Sequence, residues 1–103
     1  MNRKELIEQM LKDDPNDPFL HYGLALEQLR EEDKKSARIT FEHLIDSFPD
    51  YLPTYYHLGQ LLEKLGHEDQ ALAIYHKGSD LAGKQRDLKT KAEIDEAIWE
   101  LED

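Results

Sequence analysis

The sequence contains no cysteine, a single tryptophan, four prolines and five glycines. Without cysteine there is no disulfide framework, no thiolate zinc site and no cysteine nucleophile. No window holds the roughly 18 consecutive apolar residues that a membrane-crossing helix needs. Met1 is followed by charged residues rather than an apolar leader core. A cytoplasmic protein that neither spans nor rests on a membrane is the expectation. Basic residues are also scarce: 13 Lys and Arg stand against 23 Asp and Glu, a net charge of −10. That balance argues against a nucleic-acid backbone as partner. At 103 residues the chain has room for one hydrophobic core, so a single domain over 1–103 is expected.

What is present is helical periodicity. Residues 3–12 place Leu6, Ile7, Met10 and Leu11 on one stripe before the stop signal Asp13-Asp14-Pro15. Such a short helix is marginal alone and needs tertiary packing. Asp17-Pro18 opens the next helix, because Asp accepts from free backbone N–H groups and Pro at the first position forfeits no intrahelical bond. That helix carries Phe19, Tyr22, Leu26 and Leu29; its partner, from Lys34 to Ser47, carries Ala37, Phe41, Leu44 and Ile45 and stops before Pro49. A second pair follows, with Tyr55, Leu58, Gly59 and Leu62, then a left-handed helix end at Gly66, then Ala71, Tyr75 and Leu81.

The pairs repeat. The stretch Phe19 to Leu29 shares His, Gly, Leu, Glu and Leu with Tyr55 to Leu65 at an offset of 36 residues, whereas Ala37 and Ala71 stand 34 apart. The difference implies two extra residues in the turn around Glu31 to Lys35. A fixed period of this size is the mark of a helical repeat array. The final segment, 87–101, begins basic (Lys84, Arg86, Lys89, Lys91) and ends acidic (Glu96, Glu100, Glu102), against the helix dipole, so side-chain packing must hold it. Ile98 and Trp99 are expected to pack over the open end of the second pair as a C-terminal cap.

These residues resemble the tetratricopeptide repeat (TPR) family. The second repeat matches through Tyr55, Leu58-Gly59, Leu62, Gly66, Ala71 and Tyr75, and the first through Phe19, Tyr22-Gly23, Leu26, Ala37, Phe41 and Pro49. The resemblance implies an all-α, right-handed α-α superhelix with two repeats flanked by single helices: an N-terminal helix at 3–12, repeat 1 at 16–51, repeat 2 at 52–83 and a capping helix at 87–101. It also implies that Phe19, Gly23, Leu26, Ala37, Phe41, Tyr55, Gly59, Leu62, Ala71 and Tyr75 pack the repeats together.

Carrying the family's concave-face positions onto this chain selects Asp17, Leu20, His21, Leu24, Glu27 and Gln28 from the first repeat and Pro53, Tyr56, His57, Gln60, Glu63 and Lys64 from the second. Leu20, Leu24 and Tyr56 form either additional core or an apolar groove floor. The basic clamp with which some TPR domains hold a terminal carboxylate is replaced by Leu20, Leu24 and His57, which makes acidic peptides poor ligands. A protein or peptide that is basic or neutral, with apolar anchors, is the expected partner. His21 and His57, equivalent in this reading, are candidates for a pH-sensitive polar contact.

Catalytic and cofactor signals are missing. Ser36, Ser47 and Ser79 lack a nucleophile elbow, and the glycines form neither a dinucleotide fingerprint nor a P-loop. No spacing fits a metal site or a cofactor. A non-enzymatic interaction module is expected, with a self-associating structural unit, including a homodimer, or a regulatory subunit of an assembly as rivals.

Overall fold

The computed structural model describes residues 1–102. Among them are six helices and no strand: α1 (Arg3–Asp13), α2 (Pro18–Arg30), α3 (Lys34–Ser47), α4 (Pro53–Lys64), α5 (Glu68–Lys84) and α6 (Leu88–Glu102). The chain divides into two compact units, Met1–Tyr51 and a second beginning at Leu52. In the first, α2 packs on both α1 and α3; in the second, α5 packs on both α4 and α6.

Local chemistry sets most helix starts. Asn2 accepts from the Glu5 N–H at 2.8 Å, Asp17 from Phe19 at 2.9 Å and Asp33 from Ser36 at 3.1 Å. Asp87 accepts from the Thr90 N–H at 3.1 Å and from its hydroxyl at 2.8 Å, fixing the start of α6. These bonds satisfy donors that the first helical turn leaves free. The Ser36 contacts hold Asp33, and the Thr90 contacts hold Asp87, below the usual carboxylate range.

The two intra-pair turns are the same length. Residues 31–33 join α2 to α3 and residues 65–67 join α4 to α5. In the first, the Glu32 N–H donates to the Leu29 carbonyl at 3.0 Å and Asp33 to Gln28 at 2.9 Å; in the second, Gly66 donates to Glu63 at 3.0 Å and His67 to Leu62 at 2.9 Å. Glu32 and Gly66 share the left-handed conformation, at φ 60 and φ 82. Glu31 therefore corresponds to Leu65, an offset of 34 residues, the same as from Ala37 to Ala71. The enlarged turn expected from the sequence is absent.

This offset moves α2 by two residues against α4. Ala25, wholly buried, is the counterpart of Gly59, and His21 is the counterpart of Tyr55. Phe19 corresponds to Pro53 instead, and it stands 63% exposed rather than packing between helices. Gly23 and Leu26 are only half-buried, for the same reason. A Cβ on Gly23 would meet Ile7 of α1 at 3.5 Å, an ordinary contact. The other expected packing residues, Ala37, Phe41, Tyr55, Gly59, Leu62, Ala71 and Tyr75, are all buried.

In the second unit the core is built on close approach. Gly59 lies against the Tyr75 ring, and a Cβ on Gly78 would sit 2.6 Å from Tyr55 Cβ and 3.1 Å from Ile94 Cδ1. Tyr55, Gly78 and Ile94 thus tie α4, α5 and α6 together. Ser79 donates to Asp95 at 2.6 Å, and Lys91 donates to Ser79 at 3.1 Å and to Asp95 at 2.9 Å. The Ser79 hydroxyl, then Lys91, hold the Asp95 carboxyl below its ordinary value. This cluster, with Ile94 and Ile98, fixes α6 despite its unfavourable dipole pattern. Trp99 does not join Ile98 as a cap. It is 74% exposed, because Ile94 and Ile98, one turn apart, fill the inward face and the next residue points away from it.

Candidate functional site

On α4, Thr54, Tyr55, Leu58, Gly59, Leu61 and Leu62 are buried. Tyr56, His57, Gln60, Glu63 and Lys64 recur at three- and four-residue steps on the remaining arc, Gln60 and Lys64 exposed and the others half-buried. The structure therefore gathers all five second-repeat candidates on one face. The Tyr56 ring lies 5.9 Å from His57 and 6.3 Å from Tyr75. Glu63 accepts a hydrogen bond from the Tyr75 hydroxyl. Burial first, and then this bond, push the Tyr75 phenol far above its ordinary value. His57 Nδ1 lies 3.3 Å from the Pro53 carbonyl of the preceding turn.

The first-repeat candidates are placed differently. Leu20 is buried, at 8% exposure, and serves as core rather than groove floor. Glu27 faces α1 and α2 cations, with Arg3 at 3.5 Å and Arg30 at 3.7 Å. His21 Nε2 donates to the Pro15 carbonyl at 2.7 Å, and its ring lies 4.9 Å from His43 and 5.8 Å from Phe48. Leu24 is half-buried. With the 34-residue correspondence, the α2 residues equivalent to the α4 face are Tyr22, Gly23, Leu26, Leu29 and Arg30. Of these, Tyr22 packs edge-on against Tyr51, ring centroids 5.7 Å apart, and burial raises its phenol above its ordinary value.

Sequence reasoning named Ile98 and Trp99 as a cap but missed that α6 repeats the pattern of α4. Ile94, Ile98 and Leu101 repeat the inward positions Leu58, Leu62 and Leu65 at an offset of 36 residues, buried or half-buried in both helices. The outward counterparts of Tyr56, Gln60, Glu63 and Lys64 are then Ala92, Glu96, Trp99 and Glu100, all exposed. The signal was a third occurrence of the first-helix pattern, hidden because α5, at 17 residues, is longer than α3, at 14. Chemically the α4 and α6 faces offer aromatic surface, carboxylates and one lysine. Among the described residues no group of three His, Asp or Glu side chains is placed to hold a metal ion, and no helix is long and apolar enough to cross a membrane.

The comparisons agree with this architecture. A family model described as tetratricopeptide repeat matches residues 52–85. A tetratricopeptide repeat domain protein from Salinibacter ruber, solved in solution, is similar at 39% identity, with 86% of this chain and 90% of that chain covered and a TM-score of 0.83. A crystal structure of the Salinibacter ruber domain protein gives 38% identity, coverage of 84% and 96%, and a TM-score of 0.80. A protein from Bordetella parapertussis, at 21% identity, shares the fold alone, with coverage of 98% and 88% and a TM-score of 0.83. No curated protein matches. Helix count, turn geometry, the 34-residue correspondence and these relatives lead to one assignment: the chain belongs to the tetratricopeptide repeat family, whose fold is in general a protein–protein interaction module.

Proposed function

We propose that this chain is a binding module without a catalytic step of its own, taking a protein or peptide segment that is basic or neutral and carries apolar anchors. The observation that supports this most is the α4 face, where Tyr56 offers an aromatic surface beside Gln60, Glu63 and Lys64. Glu63 is already oriented by Tyr75, which leaves its second oxygen directed by a fixed partner rather than by solvent. The net charge of −10 steers basic segments toward the molecule and disfavours acidic ones. Within the first unit, α2 carries Tyr22, Leu26 and Leu29 at the equivalent positions, all half-buried.

Calorimetric titration with capped basic, neutral and acidic 12-residue peptides of matched leucine content tests this reading. The basic peptide is expected to bind, the acidic one not, and Tyr56→Ala to weaken binding about tenfold at unchanged helicity. Equal affinity for all three peptides, or a Tyr56→Ala variant that binds as the parent does, refutes it. Sedimentation of the free protein accompanies the titration, since a tight homodimer burying Tyr56 would assign that face to self-association.

A further inference from the structure

Trp99 is the only tryptophan in the chain and is 74% exposed, on a helix whose inward face is already filled by Ile94 and Ile98. It shares an outward stripe with Ala92 and Leu88, the latter 72% exposed. A shallow depression beside the indole is lined by Glu96, Trp99, Glu100 and Glu102, with no basic side chain among them. The α6 helix that carries this stripe packs on α5, the same helix that backs α4.

We propose that Trp99 is the platform for an arginine of the partner segment, its guanidinium stacked on the indole and hydrogen-bonded by Glu96 and Glu100. The inference rests on the peptide-binding reading above and names the partner residue that the outward stripe of α6 selects. An exposed indole attracts a cation over its ring, and carboxylates one turn before and one residue after it supply the acceptors that a planar, forked guanidinium matches better than an ammonium does. The carboxylates disfavour an acidic occupant by like-charge repulsion. Leu88 sets a second requirement. It precedes Trp99 by eleven residues, about 16 Å along the helix, a span that an extended partner covers in about five residues, so an apolar side chain belongs at that distance from the arginine.

The probe is a capped 11-residue peptide with arginine at the centre, leucine at both ends and alanine or glutamine between, compared with versions carrying lysine or glutamate at the centre. Because Trp99 is the sole tryptophan, its emission reports contact directly. The arginine peptide is expected to change that emission saturably, the lysine peptide to bind several-fold more weakly and the glutamate peptide not at all. Glu96→Gln with Glu100→Gln should weaken the arginine peptide about tenfold while leaving helicity intact. Calorimetry separates the two readings. Heat of binding with unmoved Trp99 emission and an unchanged affinity in Trp99→Ala overturns the arginine platform and spares the peptide-binding reading. No heat with any of these peptides overturns the platform, and no heat with the basic peptide used for the α4 face as well overturns both. Emission that shifts with protein concentration alone, accompanied by dimer in sedimentation, overturns the platform by making a second copy its occupant.

Discussion

Gly59 and Tyr75 occupy one slot: a Cβ on Gly59 would run into Cε1, Cδ1 and Cζ of the Tyr75 ring. The ring is wholly buried, and its hydroxyl is committed to Glu63, so it cannot swing aside. Gly59→Ala is therefore expected to destabilise the protein by a net ~1–2 kcal/mol, the overpacking cost exceeding what alanine gains in helix propensity. Gly23→Ala meets only Ile7, at contact distance, and should gain about 0.5–1 kcal/mol. Thermal melts followed by circular dichroism check both: a fall of roughly 5–10 °C for the first and a rise for the second.

The same phenol predicts how stability depends on alkaline pH. Burial and the Glu63 carboxylate raise the Tyr75 hydroxyl far above its ordinary 10.0, so in the folded state it keeps its proton where the unfolded chain gives it up. Above about pH 10 the unfolded state binds fewer protons than the native state, and linkage then makes unfolding easier as pH rises. Tyr75→Phe cannot ionise and should lose this part of the alkaline decline, although it melts lower at neutral pH through the lost hydrogen bond. Urea unfolding of both proteins between about pH 8 and 11 gives the comparison; parallel curves would contradict it.

Thr54 is the one described side chain with a fully buried polar atom, Oγ1, that finds no hydrogen-bond partner. It lies in the first turn of α4, where Leu52 provides no side-chain cap. An orphaned buried hydroxyl costs about 1–3 kcal/mol, and valine has nearly the same shape without it. Thr54→Val is expected to raise the unfolding midpoint by part of that amount, whereas Thr54→Ala leaves a void and should lower it. Chemical denaturation of the three proteins decides the sign.

The helices, their order and the second repeat were legible from periodicity and from Pro53, Gly66 and Ala71, because there each local signal agrees with the tertiary packing. The register of α2 was not legible. Phe19-Leu-His-Tyr-Gly aligns by letter with Tyr55-Tyr-His-Leu-Gly, yet the buried small residue is Ala25, Gly23 lies toward Ile7 of α1, and the ring beside α3 is that of His21, 4.9 Å from His43. The turn hydrogen bonds of Glu32 and Asp33, which set the helix end, reveal the two-residue difference. Trp99 was hidden for a related reason: apolar bulk at a chain's last helix reads as cap whether it faces in or out, and the facing is decided by Ile94, Ile98 and Leu101 together.

That register makes a prediction in which adjacent residues differ sharply. Phe19 projects outward beside the Asp17 cap, so Phe19→Ser removes little buried surface and should change stability by no more than about 0.5 kcal/mol. Leu20 is buried at 8% exposure, and Leu20→Ala should cost about 2–5 kcal/mol through lost burial and the cavity left behind. The 36-residue alignment demands the opposite order, because it equates Phe19 with buried Tyr55 and Leu20 with the half-exposed Tyr56. Urea melts of the two variants separate these registers, since Phe19→Ser proving the more damaging would restore the alignment by letter and return Leu20 to the binding face.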